Sequence, residues 1–458
     1  MKNALAAGFI ALALRLWLIF QFPIVFGGDS MLRLMHRDEV LLSYQLPLLQ
    51  CFIWALSRFT TGALPVRLMM AVIGALAAVA FYYLAAELAE PRAALAGAIL
   101  FATNPFITPV SIVPYQEILL LATLFGAFYF FFRKRWAASA VFLALACFTR
   151  FEAWVACPVL AGAWFLEGPR TVRRALVAIA VYGAAPIVWI AARHGLSPQG
   201  SFVLDRGISL ARFARYTYLA VHTAAETTIP VLVLAAVGLT MPKDRRLLVL
   251  GAFLALFAVA ILFSAHGELP DPERIVTTRE IHIPLAAILL LATLGCARYP
   301  RAALPLVAAG ATLGVWGAYK FVRHETSRPE MRLGYDVAKY LDAQVAVGEQ
   351  VLICARPPNI DLYFEKAFET GGAAGLAAAH RAIDAIDVLP TDAQRVIIHL
   401  NRVSRSQIFV YPKLPAHTDW TAVWNDFAPV PNPAAIFTVD GRSAAVLRKP
   451  PAIPRPAK

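Results

Sequence analysis

Charge is what this sequence has least of. Asp, Glu, Lys and Arg make up 16% of 458 residues, against about 25% in soluble globular domains. Acidic residues are the scarcer kind, 29 against 42 Lys and Arg. Cysteine is also sparse. Cys51, Cys147, Cys157 and Cys296 sit in apolar segments and Cys354 stands alone in the polar C-terminal part, so there is no disulfide framework and no metal-ligand spacing. The C-terminal part has no glycine-rich nucleotide fingerprint, and no repeat of fixed period runs through the chain. The low charge excludes an ordinary soluble domain. The dispersal of the basic residues excludes nucleic acid as a partner.

Apolar residues are abundant instead: 59% of the chain is hydrophobic and the mean hydropathy is +0.62. Runs long enough to cross about 30 Å of hydrocarbon recur down the sequence. The first, "ALAAGFIALALRLWLIFQFPIVF", carries an internal Arg15 and lacks a small-x-small cleavage site, so it reads as a permanent helix rather than a signal peptide. Spans are expected near 5–26, 64–88, 93–110, 117–132, 137–149, 152–166, 175–192, 227–240, 247–264, 281–297 and 302–322, about 11 in all. Basic clusters at Arg92, Arg133-Lys134-Arg135, Arg170/Arg173/Arg174, Lys243/Arg245/Arg246 and Arg298/Arg301 separate them. With Lys2 inside, these clusters fall on the cytoplasmic side. The segments flanking Arg150 are short for spans and read as a hairpin whose polar turn is buried in protein.

The expected fold is therefore an α-helical polytopic membrane protein. Its membrane core covers 1–322, with interfacial helices in the first outer loop at about 27–63, and residues 323–458 form a small external α/β domain. In that tail "LGYDVAKYLDAQV" and "AAGLAAAHRAIDAI" have helical character. "QVLICA", "RVIIHL" and "QIFVYP" are strand-like, "AIFTVDGRSAAVLRK" reads as a hairpin around Asp440-Gly441, and "PPAIPRPAK" reads as a disordered end.

Where charge does concentrate, it sits in the outer loops. "FGGDSMLRLMHRDE", residues 26–39, follows the first span directly. Its glycines permit a sharp turn. Asp29 is placed to act as a general base or merely to cap a short helix. Arg33, four residues on, shares its face if that helix forms. Asp38 and Glu39 are a second acidic pair, with a solvated loop face as the plainer reading. Glu117 opens the fourth span after "VPYQ", where a carboxylate is often only a favourable contact with the helix dipole. "FTRFEAW" sets Arg150 and Glu152 between apolar segments. Arg279, before "IHIPLAAILLLATLG", offers a planar fork of donors suited to a phosphate, and Arg274 competes for that role.

Residues 1–300 resemble a family. "YQLPLLQCFIWALSRF", "NPFITPVSIVPYQE", "LACFTRFEAWVACPVLAGAW" and "TTREIHIPLAAILLLA" follow an early outer carboxylate. That succession resembles the C-type membrane glycosyltransferase superfamily, in particular the dolichyl-phosphate-mannose–protein mannosyltransferase and lipid A aminoarabinose transferase group. The resemblance implies an integral enzyme of the bacterial inner membrane with its C-terminal domain outside the cytoplasm. It implies transfer of a sugar from a polyprenyl-phosphate donor to a lipid, glycan or protein acceptor on the outer face, with inversion.

It also implies that Asp29 is the catalytic base and Glu117 the second acid, with Asp38 and Glu39 next in line. Arg33, Tyr44, Tyr115, Arg150, Arg274 and Arg279 are the candidate substrate-binding residues. The family's paired acid is missing, since Ser30 follows Asp29, and its His/Tyr-Pro-Pro element survives only as Tyr44 and Pro47 of "YQLP". No cofactor is expected. A divalent metal is compatible with the resemblance, but no ligand spacing in the sequence indicates one. The alternative from another class is a lipid or small-molecule transporter or flippase, for which inverted repeats and midplane polar residues are the marks. A membrane protein that only displays its tail is the other.

Overall fold

A computed structural model describes residues 1–42, 46–60, 62–194, 221, 223–224, 227–242, 244–262, 281–344, 351–354, 367–368, 370–371, 379–381, 408–414, 434–440 and 442–448. The helices, in chain order, are α1 (Lys2–Gln21), α2 (Gly28–Met35), α3 (Leu48–Ser57), α4 (Leu64–Ala86), α5 (Pro91–Ala102), the single turn α6 (Ile107–Val110), α7 (Gln116–Phe132) and α8 (Trp136–Cys147). A 3-10 turn (Phe151–Val155) leads into α9 (Ala156–Leu166), α10 (Val172–His194), α11 (Ile229–Gly238), α12 (Arg245–Leu262), α13 (His282–Arg298), α14 (Pro300–Thr326) and α15 (Pro329–Gln344).

Every expected span contains one of these helices, and the departures have local causes. α1 ends at Gln21 rather than near 26. Pro23 lacks an N–H and disfavours the helical region for Phe22. The stretch 93–110 is not one helix. α5 stops at Ala102, and the Asn104 side-chain oxygen accepts from the backbone N–H of Phe106 and Ile107 at 3.0 and 2.9 Å, which starts α6 on a new axis. By length and composition, α1, α4, α10 as far as Ala192, and α14 are long and apolar enough to cross a membrane among the described residues; the other apolar helices are shorter.

Two compact units divide the chain. The first takes in Met1–Gln21, His36–Arg58 and Val66–Val322. Its helices pack through small residues, as expected where lipid outside is as apolar as the protein core. α11 and α13 approach until their backbones meet: a Cβ on Gly238 would lie 1.9 Å from the Leu291 carbonyl, and one on Gly295 2.0 Å from that of Leu234. Phe81 stacks on Phe101 at 4.9 Å, and Phe125 meets both edge-on at 5.4 and 5.6 Å. At one end of this helix set the basic clusters converge on scarce acids. Arg133 and Arg246 pair with Glu87 at 3.6 and 3.4 Å, and Arg245 pairs with Glu167 at 3.5 Å.

The second unit takes in Phe22–Met35, Phe59–Pro65 and Arg323–Lys458. Its strands are β1 (Val351–Cys354), β2 (Ala379–Arg381), β3 (Ile408–Leu414), β4 (Ala434–Val439) and β5 (Arg442–Arg448), in the order β2-β1-β3-β5-β4. β1 runs parallel to β2 and β3, while β5 is antiparallel to β3 and β4. The β4–β5 hairpin turns at Asp440, whose φ of 47° is the left-handed conformation that Asp tolerates. α15 lies on this hairpin through Tyr340 and Phe437, ring centroids 5.4 Å apart, and through an ion pair between Glu330 and Arg442. One expectation is corrected here. Ala379–Arg381, read as part of a helix, forms β2, with Leu352 opposite Ala379 and Cys354 opposite Arg381. Pairing along the sheet edge overrides the helix preference of alanine. "RVIIHL" and "PPAIPRPAK" lie outside the described residues.

Candidate active site

The densest buried charge among the described residues of the first unit is built by the start of α7 and, 33 residues on, the turn that follows α8. α7 begins where Tyr115 leaves the helical region (φ −93°, ψ 140°), so Glu117 falls in its first turn with only 1% of its side chain exposed. α8 ends at Cys147, Arg150 is extended (φ −150°, ψ 149°), and the 3-10 turn carries Glu152 back beside it. Arg150 Nη1 donates to Glu117 Oε1 at 2.5 Å and its Nε donates to Glu152 Oε1 at 2.9 Å, while Nη2 also contacts Glu152 Oε1. One guanidinium thus lies between two carboxylates in a poorly hydrated place. Such a group orders its neighbours.

The first loop is stitched onto this cluster. Gln116 Nε2 donates to the Leu46 carbonyl at 3.1 Å, and the Leu48 N–H donates to the Phe148 carbonyl at 3.0 Å. The two bonds flank Pro47 of the "YQLP" element. Within the hairpin, Trp154 Nε1 donates to the Cys147 carbonyl at 3.1 Å and closes the tip. α8 and α9 have 12 and 11 residues, roughly 16–18 Å of rise, well short of a bilayer core. The charged tip between them meets protein, as expected for irregular backbone in an apolar setting.

Two further arginines, Arg15 and Arg67, fix the loop that delivers Glu117. Both are fully buried, at 0% and 1% exposed. Arg15 Nε donates to Ser111 Oγ at 2.6 Å, and its Nη1 donates to the Ala11 and Ala102 carbonyls at 2.9 and 3.3 Å. Arg67 Nε donates to the Ile112 carbonyl at 3.1 Å. Neither was singled out for a role from sequence. The available signal was an arginine inside an apolar run, which is costly unless it has work to do.

The other candidates fall out as follows. Tyr115 is buried at 3% exposure, directly before α7. Asp29 and Arg33 belong to the second unit, in α2. Gly27 makes the expected sharp turn at φ +84°, Ser30 Oγ donates back to the Gly27 carbonyl at 2.7 Å, and Asp29 stands half-buried in the first helical turn. Arg33 is buried in the last turn of the same helix. Asp38 and Glu39 are exposed; Glu39 pairs with His36 at 2.8 Å and Asp38 accepts from Ser57 Oγ at 3.5 Å, which is the solvated-face arrangement. Tyr44, Arg274 and Arg279 lie outside the described residues. Among the described residues no group of three or more His, Cys, Asp or Glu side chains is placed to hold a metal ion.

No family model matches the chain, and no curated protein matches it. Solved structures do. ArnT from Cupriavidus metallidurans, an aminoarabinose transferase, in its crystal structure bound to undecaprenyl phosphate, matches at TM-score 0.58 and 15% identity over 97% of this chain and 96% of that one. The same protein in its apo state matches at TM-score 0.57 and 14% identity over the same shares. The oligosaccharyltransferase AglB from Archaeoglobus fulgidus is a more distant likeness, at TM-score 0.46 and 12% identity over 90% of this chain and 69% of that one. At these identities the likeness is one of fold: the chain folds like the two ArnT structures over nearly its whole length.

Proposed function

We propose, from the fold shared with the C-type membrane glycosyltransferases, that this chain is an integral membrane glycosyltransferase. It moves a sugar from a polyprenyl-phosphate carrier to an acceptor at the outer face of a bacterial inner membrane. The observation that carries the reading is the fold likeness over 97% of the chain to a protein solved with undecaprenyl phosphate bound. The buried Glu117–Arg150–Glu152 cluster supports it, because charge held at such cost in an apolar setting is functional by default.

The chemistry asked of the residues is modest. An acceptor hydroxyl attacks the anomeric carbon as the bond from that carbon to the phosphate oxygen breaks. The electron pair leaves with the lipid phosphate, the acceptor proton passes to a carboxylate, and the centre inverts. Asp29 is the proposed base. The leaving phosphate already carries negative charge, so a fixed arginine stabilises its departure; Arg279 is the first choice and Arg274 the second. Arg150, clamped by two carboxylates, orders the start of α7, with Glu117 as its anchor. The external position of residues 323–458 belongs to the same proposal.

The test is to incubate the purified chain with a panel of polyprenyl-phosphate sugars and to measure release of lipid phosphate. Release with one sugar, dependent on an added acceptor fraction, is the expected result. No release from any donor, together with movement of the intact donor across a vesicle bilayer, favours the transporter reading. One feature speaks for that second reading: the α8–α9 hairpin, with Arg150 and Glu152 at its tip, resembles the broken helices that transporters place around their sites.

A further inference from the structure

A cavity of about 500 Å³ opens between α4, α7, α11, α12 and α13. Its lining is apolar throughout, including Leu84, Leu124, Phe128, Gly251 and Leu291. It is distinct from the Glu117–Arg150–Glu152 cluster, which contributes no residue to its wall. Two of its lining side chains, Leu239 and Leu248, are 64% and 61% exposed, so the groove opens on the lipid-facing side of the helix set.

Two of the lining helices carry cations at one end, and a third, α4, ends there on the acid that the cations share. α4 runs from Leu84 to Glu87 just beyond its last turn, α7 runs from Phe128 to Arg133, and α12 begins with Arg245 and Arg246, directly before the lining residue Leu247. Arg246 and Arg133 meet there on Glu87, at 3.4 and 3.6 Å, and Arg246 Nη1 also donates to the Glu87 carbonyl. Both arginines keep solvent access, with side chains 41% and 56% exposed. Lys134 and Arg135 add exposed charge beside them. One carboxylate cannot neutralise this group, and a guanidinium has five donors, more than Glu87 engages. An apolar slot with a cationic mouth complements a molecule with a long apolar tail and an anionic head.

We infer that this groove binds an anionic phospholipid of the leaflet that faces the basic clusters, with an acyl chain between α7, α12 and α13 and the headgroup phosphate on Arg246 and Arg133. Basic pockets between membrane helices are suited to such headgroups. The inference does not rest on the transferase reading, because it concerns a lipid that is retained rather than consumed.

The full chain, purified in detergent and delipidated, is titrated with phosphatidylglycerol, phosphatidylcholine or undecaprenyl phosphate, and bound lipid is counted by native mass spectrometry. Phosphatidylglycerol is expected to bind on the order of tenfold more tightly than phosphatidylcholine, since each basic side chain near the headgroup contributes about a kcal/mol. Gly251→Phe adds a ring at the slot, starting from a position where a Cβ meets no heavy atom within 4 Å; it should abolish retention of both phospholipids. Arg133→Gln with Arg246→Gln should keep chain binding and lose the headgroup preference. Equal binding of the two phospholipids to the unmodified chain overturns the proposal, as does unchanged phosphatidylglycerol binding in Gly251→Phe. Undecaprenyl phosphate displacing phosphatidylglycerol from the unmodified chain, and failing to bind Gly251→Phe, also overturns it and gives the groove to a prenyl tail. Lipid-phosphate release, measured on the same preparations, fails or succeeds separately.

Discussion

Replacing Arg150 by Met keeps much of the side chain's bulk and removes the guanidinium that Glu117 and Glu152 both contact. Glu117 is almost without solvent, at 1% side-chain exposure, and its contact to Arg150 is 2.5 Å. Breaking a buried pair by removing one partner typically costs about 3–5 kcal/mol. Arg150 retains 14% exposure and Glu152 22%, so some of that charge is screened. The expected loss for Arg150→Met is therefore roughly 2–4 kcal/mol. Glu117→Gln alone should cost less, because Glu152 still holds Arg150. The double variant should recover part of the single Arg150 loss, since Glu152, which keeps solvent access, is then the carboxylate left beside the missing cation. Unfolding of all four proteins in mixed detergent micelles gives the coupling energy, expected at about 1–3 kcal/mol for residues in contact. An Arg150→Met protein within about 0.5 kcal/mol of the parent, the size of an ordinary surface change, would refute the argument that this cluster is a buried electrostatic unit. Strict additivity in the cycle would refute it equally.

Three further outcomes follow from the same reasoning. Asp29→Asn removes proton affinity at constant size, so turnover should fall about 10²–10⁴-fold with donor binding largely retained; near-normal turnover would end the base assignment and bring forward Asp38 and Glu39. Arg279→Ala should weaken donor binding by about 1–3 kcal/mol if a charge-assisted bond to the phosphate is lost, and Arg279→Lys should fall between it and the parent; an unchanged donor dissociation constant moves the role to Arg274 or Arg33. Gly74→Ala would put a Cβ 2.2 Å from Arg15 Nε, displacing the guanidinium from Ser111; lower thermal stability is expected, with partial rescue by Arg15→Leu, and a neutral effect would show that Arg15 is not held there.

The helices were legible because a membrane helix declares itself locally. α4 and α7 are apolar along most of their length, and their ends are marked by Glu87 and by Arg133-Lys134-Arg135. Breaks within apolar runs were harder to read, because they depend on single residues. Pro23 shortens α1, and the Asn104 side chain turns one expected span into α5 and α6. Ala379–Arg381 could not be recognised as β2 from its composition, since its partner, Val351–Cys354, lies elsewhere in the chain. Asymmetry of this kind is expected wherever pairing, not propensity, decides the element.

The candidate site shows the same division more sharply. Glu117, Arg150 and Glu152 each stood out as charges beside apolar runs, yet the sequence offered a dipole contact for the first and only a place between apolar segments for the other two. The 33-residue link from Arg150 to Glu117 and the 96-residue link from Arg15 to Ser111 exist only in the folded chain. What joins them is a shared constraint. A guanidinium inside an apolar helix set must find acceptors wherever the packing supplies them. Arg15 and Arg67 find Ser111 and Ile112, at the end of the loop that leads into Glu117, and Arg150 finds Glu117 itself. Because each contact fixes a different stretch of one connection, residues 102–117, the three arginines together restrict where the first turn of α7 lies. A carboxylate so restrained can serve as a fixed reference for the chemistry around it, whereas one on a free loop would follow the solvent. Glu39, exposed and paired with its neighbour His36, is the contrasting case in the same chain.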